Sequence, residues 1–120
     1  MRFFYFSSMK NIADFLDATY LKTPEQANMS KSENDALVGE LFNDAIKNKY
    51  KCIMIRPELV LAAKQFLIKH KSKVLVGTVI DFPNGKATLQ NKLTEAQEAI
   101  TNGADELDFV VDYQAFKAGD

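Results

Sequence analysis

At 120 residues, 47% of them apolar, the chain has room for one domain with a sizeable core and too little length for several. Fifteen basic against sixteen acidic side chains leave a net charge of −1, which gives no overall electrostatic case for nucleic acid or anionic lipid as a partner. The single cysteine, Cys52, excludes an intrachain disulfide, lacks the Cys/His neighbours of a zinc site, and fits a reducing, cytoplasmic location.

Met1 to Ser8 holds the cluster Phe3-Phe4-Tyr5-Phe6, shorter than the roughly 7–15 residues of a signal-peptide core and without a cleavage signature. With Met9 following at once, residues 1–11 read as an N-terminal extension and lead-in, the alternative being an aromatic plug against a core. A short helical lead-in around Lys10 to Asp14 precedes a first strand over Phe15 to Tyr20, closed by the turn signal Thr23-Pro24. From Ser32 onward Leu37, Val38, Leu41, Phe42, Ala45 and Ile46 recur at helical spacing, with Ser32 and Asp35 as the expected capping pair.

Cys52-Ile53-Met54-Ile55 is a short apolar strand, and Pro57 then opens a helix with Leu59, Val60, Ala62, Ala63, Phe66 and Leu67 on one side. Val74 to Phe82 is the strongest strand, β-branched and long, ended by Phe82-Pro83-Asn84-Gly85. Leu89, Leu93, Ala96 and Ile100 mark a third helix, for which Asn102-Gly103 supplies a left-handed stop. A fourth strand over Asp105 to Val111 and a short helix at Gln114 to Ala118 complete four strand-plus-helix units.

Strands that alternate with helices imply an α/β fold with a parallel sheet and right-handed crossovers. A doubly wound sheet ordinarily carries a glycine-rich phosphate loop after its first strand, but Asp17 to Lys22 contains no glycine. A (β/α)₈ TIM barrel has eight units in about 250 residues. Four units in residues 12–120 therefore read as half of such a barrel, and the resemblance set out below makes it the N-terminal half. No membrane-spanning window and no metal-ligand cluster is expected.

Barrel chemistry gathers at the C-terminal ends of the strands, so the polar groups on the inward faces matter most. Alternation puts Phe15, Asp17 and Thr19 on one face of the first strand, Cys52, Met54 and Arg56 on one face of the second, and Glu106, Asp108 and Val110 on one face of the fourth. A carboxylate at Asp108, in a strand expected to be covered on both sides, is either tied into a structural network or held for chemistry. Asp17, Thr19 and Asp108 together suit general acid–base work. His70, beside Lys69 and Lys71 at a helix end, reads as a solvated cap.

Three separated motifs, in order, give the chain a specific resemblance to deoxyribose-phosphate aldolases from about Ile12 to Asp120. Asp17-Ala18-Thr19-Tyr20-Leu21-Lys22-Thr23-Pro24 resembles the family's Asp-His-Thr-x-Leu-Lys-x-Pro, Thr78 to Gly85 resembles Thr-Val-x-x-Phe-Pro-x-Gly, and Gly103 to Val111 resembles Gly-Ala-Asp-Glu-x-Asp-x-Val-x. The resemblance implies a class I aldolase, needing no cofactor or metal, that reversibly cleaves 2-deoxyribose 5-phosphate to glyceraldehyde 3-phosphate and acetaldehyde through a lysine Schiff base. It implies that Asp108 is the acid–base aspartate, that Asp17 and Thr19 lie near a substrate hydroxyl and a water, and that Lys22 and Met54 border the substrate.

The same resemblance marks departures: Ala18 stands where histidine is frequent, Met54 where cysteine is common, Asp81 where glycine or asparagine is usual, and Arg56 where tyrosine or asparagine is frequent. Met54 also reads as core filler, Asp81 as a third carboxylate at a strand's C-terminal end or the start of a turn, and Arg56 as a group facing an anionic substrate or, more simply, a solvated or Asp-paired side chain. The family's imine-forming lysine lies on a sixth strand and its phosphate site after the seventh and eighth, which a four-unit chain does not contain. Lys22 is the best-placed substitute, because Lys51 and Lys73 precede their strands. The chain is accordingly expected to be inactive alone and to need either the missing C-terminal half or, in a non-catalytic alternative, a second copy of itself to cover its open edges. Another enzyme chemistry, with the acids moving protons on a carbonyl compound, is a third reading.

Overall fold

A computed structural model describes residues 11–119, so the Phe3 to Phe6 cluster and most of the expected extension lie outside the described residues. Within them, β1 (Asp17–Tyr20), α1 (Lys31–Asn48), β2 (Cys52–Ile55), α2 (Val60–Lys69), β3 (Leu75–Ile80), α3 (Leu89–Thr101), β4 (Glu106–Phe109) and α4 (Tyr113–Lys117) follow one another in the expected alternation. The four strands pair in parallel in the order β1-β2-β3-β4, without the reversal of strand order that marks a doubly wound sheet.

Both apolar clusters lie on one side of this sheet. Val38, Phe42 and Ala45 of α1 and Val60, Ala63 and Leu67 of α2 pack on Ile53, Ile55 and Val76, while Ala96 and Ala99 of α3 pack on Ile80 and Leu107. Burying an isoleucine of this kind contributes roughly 1.5–3 kcal/mol, and Ile53, Ile55 and Ile80 are all fully buried. The two polar groups inside are satisfied: Thr78 Oγ1 donates to the Ile55 carbonyl at 2.8 Å and Tyr20 Oη donates to Asn34 Oδ1 at 2.7 Å. With every crossover on one side, the opposite face of the sheet is left as a concave wall, half of a barrel interior.

Element boundaries differ from the expected ones for local reasons. Ile12–Phe15 forms a 3-10 turn capped by Asn11, whose side chain accepts from the Ala13 N–H, so β1 begins only at Asp17. The capping box of α1 is Ser30 with Glu33 rather than Ser32 with Asp35; the longer glutamate reaches back to the Ser30 N–H at 2.8 Å, which starts the helix earlier at Lys31. Pro57 opens a 3-10 turn over Pro57–Leu59 that runs into α2. The third strand stops at Ile80 because Asp81 turns into the left-handed region at φ 58°, and the fourth is cut to Glu106–Phe109.

Gly85 fixes the loop after β3 against the end of β4. Its φ is +71°, and a Cβ there would lie 2.2 Å from the Val111 carbonyl oxygen. Neither the backbone angle nor the space admits a side chain. Gly85→Ala is expected to destabilise the fold by at least about 2 kcal/mol; thermal unfolding measures it, and a midpoint unchanged from that of the parent chain would contradict this placement.

Candidate functional site on the concave face

Period-two alternation sends Asp17 and Thr19 of β1, Cys52 and Met54 of β2, Gly77 and Val79 of β3, and Glu106 and Asp108 of β4 to the concave wall. Pairing runs Thr19 to Met54 to Gly77 to Glu106, with Val79 opposite Asp108. Cys52, Met54 and Val79 are buried at the centre of the wall, whereas Asp17, Thr19 and Asp108 are exposed at its two margins. Met54 is buried with its side chain over Gly77, its Cε 2.6 Å from where a Cβ would stand.

Strand tilt offsets the levels of the marginal residues from the pairing register. Cys52 is paired with Leu75 and Glu106 with Gly77, two residues further along β3, yet the Cys52 thiol interacts with Glu106 across that strand. Such an offset is expected of barrel strands, whose shear of 8 over eight strands amounts to about one residue per strand. From β1 to β4 the offset reaches about three residues. It nearly cancels the four-residue lead of Asp108, given that Asp17 stands opposite Cys52 and Leu75 while Asp108 stands opposite Val79. Asp17 and Thr19 thus stand at the β1 margin of the wall and Asp108 at the β4 margin, with no hydrogen bond among the described residues joining them.

The two neighbouring acids of the fourth unit have separate fates. Asp105 is bound into the fold: its carboxylate takes both Lys64 at 2.8 Å and the Val76 N–H at 2.9 Å. Asp108 has no hydrogen bond or ion pair with any described residue. The expectation of a desolvated acid in a doubly covered strand is corrected here, since β4 is an edge strand of this chain and Asp108 is exposed. The structural-network reading of Asp108 thereby loses its partner.

Other polar residues at this end of the sheet are structural. Asp81 begins a turn, accepting from the Ala87 N–H at 2.7 Å, and its carboxylate pairs with Lys92 at 3.5 Å. Arg56 pairs with Glu58 at 2.6 Å, not with an aspartate, and also donates to the Leu21 carbonyl. Lys22 is exposed in the loop after β1, without a partner among the described residues. His70 caps α2, its Nδ1 2.8 Å from the Phe66 carbonyl and its ring 4.2 Å from that of Phe66. Among the described residues no three His, Cys, Asp or Glu side chains gather as a metal-ligand set.

Sequence reasoning missed Lys92, an almost buried cation at one-sixth exposure that donates to the Gly85 and Val110 carbonyls at 2.8 Å each. Its position inside a helical run gave no sign of this role. Glu106 was placed on the inward face by alternation but not singled out; its effect is on Cys52. Burial, followed by the negative charges of Glu106 and Asp17, pushes the Cys52 thiol up to about 12. Cys52 is therefore expected to resist thiol reagents at pH 8 in the folded chain and to react on unfolding; fast labelling of the native protein would contradict this. The folded pKa lies above the unfolded one, so the stabilisation is complete below about pH 9 and falls away as pH rises towards 12.

Comparison with known proteins agrees with the half-barrel fold. Residues 15–120 match the DeoC/LacD family aldolase sequence family. The chain is 34% identical over 110 residues to a deoxyribose-phosphate aldolase of Caldicellulosiruptor saccharolyticus, covering 92% of this chain and 46% of that protein. It is 37% identical over 109 residues to one of Staphylococcus haemolyticus, covering 91% and 45%. The fold is similar to that of the aldolase QR15, with a TM-score of 0.75 at 29% identity over 92% of this chain and 45% of the other. It is also similar to the tetrameric deoxyribose phosphate aldolase of Aeropyrum pernix, with a TM-score of 0.71 at 29% identity over 87% and 40%. The chain spans less than half the length of these relatives.

Proposed function

The chain belongs to the DeoC/LacD aldolase family, and from that premise we propose that residues 12–120 form the acid–base half of a class I deoxyribose-phosphate aldolase. The observation that carries the proposal is Asp108, a carboxylate on the concave wall near the C-terminal end of β4 that no described residue pairs. Cleaving the carbon–carbon bond of a sugar phosphate held as an imine requires a base to take the hydroxyl proton and an acid to return a proton to the enamine carbon left on the lysine-bound fragment. Asp108 suits both transfers in turn. Asp17 and Thr19, across the concavity, hold the hydroxyl and a water, and Lys22 and Met54 border the substrate. The imine-forming lysine and the phosphate-binding loops come from strands outside these four. The substrate is 2-deoxyribose 5-phosphate, the products are glyceraldehyde 3-phosphate and acetaldehyde, and the location is the cytoplasm.

A second reading rests on the apolar surface left at the β4 side of the sheet, where Leu93, Ile100, Phe109 and Val111 are all about half exposed or more. Under this reading the half-barrel covers itself with a second copy and performs no chemistry. Release of glyceraldehyde 3-phosphate, followed with a coupled dehydrogenase, separates the two. This chain alone should give none, and this chain mixed with strands five to eight of a family enzyme should give a steady rate. A silent mixture whose halves demonstrably associate would favour the self-paired reading.

A further inference from the structure

The opposite end of the sheet holds a second concavity. Two lysine runs of the same form, Lys47-Asn48-Lys49-Tyr50-Lys51 and Lys69-His70-Lys71-Ser72-Lys73, occupy the consecutive connections that lead into β2 and β3. Because those strands are paired neighbours, folding sets the two runs side by side around a cavity of about 700 Å³. Lys49, Lys51, Lys71, Lys73 and His70 line it, with Asp14 as its one acidic wall residue.

The positive charge there is poorly balanced. Lys51 reaches Glu106 at 3.8 Å, a long and exposed pair, and His70 engages the Phe66 carbonyl through one ring nitrogen. Lys49, Lys71 and Lys73 have no ion pair with any described residue. Helix dipoles account for Lys47 and Lys69, which lie in the last turns of α1 and α2, but their influence fades within that turn and leaves Lys73 unexplained. In contrast, Lys64, Lys92 and Arg56 elsewhere in the sheet layer are each paired with a carboxylate. Several ammonium groups around one hollow repel one another until a multiply charged anion enters.

We propose that this cleft, at the end of the sheet opposite Asp108, binds a small oligophosphate anion. Lysines offer compact charges with rotatable donors, which suit tetrahedral phosphate groups without demanding a fixed planar geometry. Four ammonium groups around the hollow match an anion of three or more charges better than a single orthophosphate.

Titration calorimetry with inorganic tripolyphosphate, on the whole chain at constant ionic strength, tests the proposal. Saturable one-to-one binding is expected, at least tenfold tighter than that of orthophosphate or of citrate. The double substitution Lys49→Gln with Lys71→Gln should weaken it at least tenfold, and the distant Lys117→Gln should leave it unchanged; circular dichroism checks that each variant is folded. Absence of saturable binding, or equal loss in Lys117→Gln, would overturn the site. Citrate binding as tightly as tripolyphosphate would overturn the phosphate assignment. None of these readings depends on aldolase activity.

Discussion

Asp108→Asn should lower the turnover of the barrel assembled from this chain and a family C-terminal half by about 10²–10⁴-fold, the range for losing one general acid–base group, while leaving the association of the halves intact. The side chain is exposed, sits on an edge strand and has no described partner, so the amide costs the fold almost nothing. A structural role predicts the opposite pattern, with lost stability and little kinetic change. Asp105 provides the internal comparison: Asp105→Asn weakens the bond to Lys64 and the clamp on the Val76 N–H, so its loss should appear in the unfolding curve. Steady-state rates and denaturation midpoints of the two variants, measured together, distinguish the acid that acts from the acid that holds. An Asp108→Asn variant with undiminished turnover would remove Asp108 from the chemistry.

The largest stability effect is expected at Lys92. One ammonium group ties the Gly85 carbonyl, the Val110 carbonyl and the Asp81 carboxylate, joining the loop after β3 to the residues just past β4. Lys92→Met keeps the aliphatic stem but leaves a largely buried carboxylate unpaired and two carbonyls without their donor. Removing one partner of such a pair costs about 3–5 kcal/mol when burial is complete. With Lys92 at 16% and Asp81 at 17% exposure, about 3 kcal/mol is expected after allowing for water. Urea unfolding measures it. A further substitution, Asp81→Asn, made on the Lys92→Met background, should recover part of the loss by removing the orphaned charge. A full-stability Lys92→Met chain would show that the three contacts contribute nothing.

The order of elements was legible because β2 and β3 are apolar runs, because turn signals punctuate the chain between strands and helices, and because a parallel sheet needs a helix in every crossover. The ends of elements were harder to read. Asn11 and Glu33 each make a local hydrogen bond that shifts a boundary by one or more residues, and sequence spacing does not tell which of two capping pairs closes. Alternation alone assigns the inward faces, which put Asp17, Thr19 and Asp108 on the concave wall from the residue pattern. Lys92 and the paired lysine runs were hidden: both arise from segments brought together by the fold, and a net charge near zero averages out a local excess. The burial expected of Asp108 failed because four strands leave β4 at an edge.

Borohydride trapping in the presence of 2-deoxyribose 5-phosphate, followed by intact mass of each component, tests the division of labour most directly. The account predicts a covalent adduct on the added C-terminal half only, formed when this chain is present and lost with Asp108→Asn. An adduct on this chain alone would place the imine on one of its own lysines, Lys22 foremost, and would contradict the assignment of the nucleophile to strands outside these four.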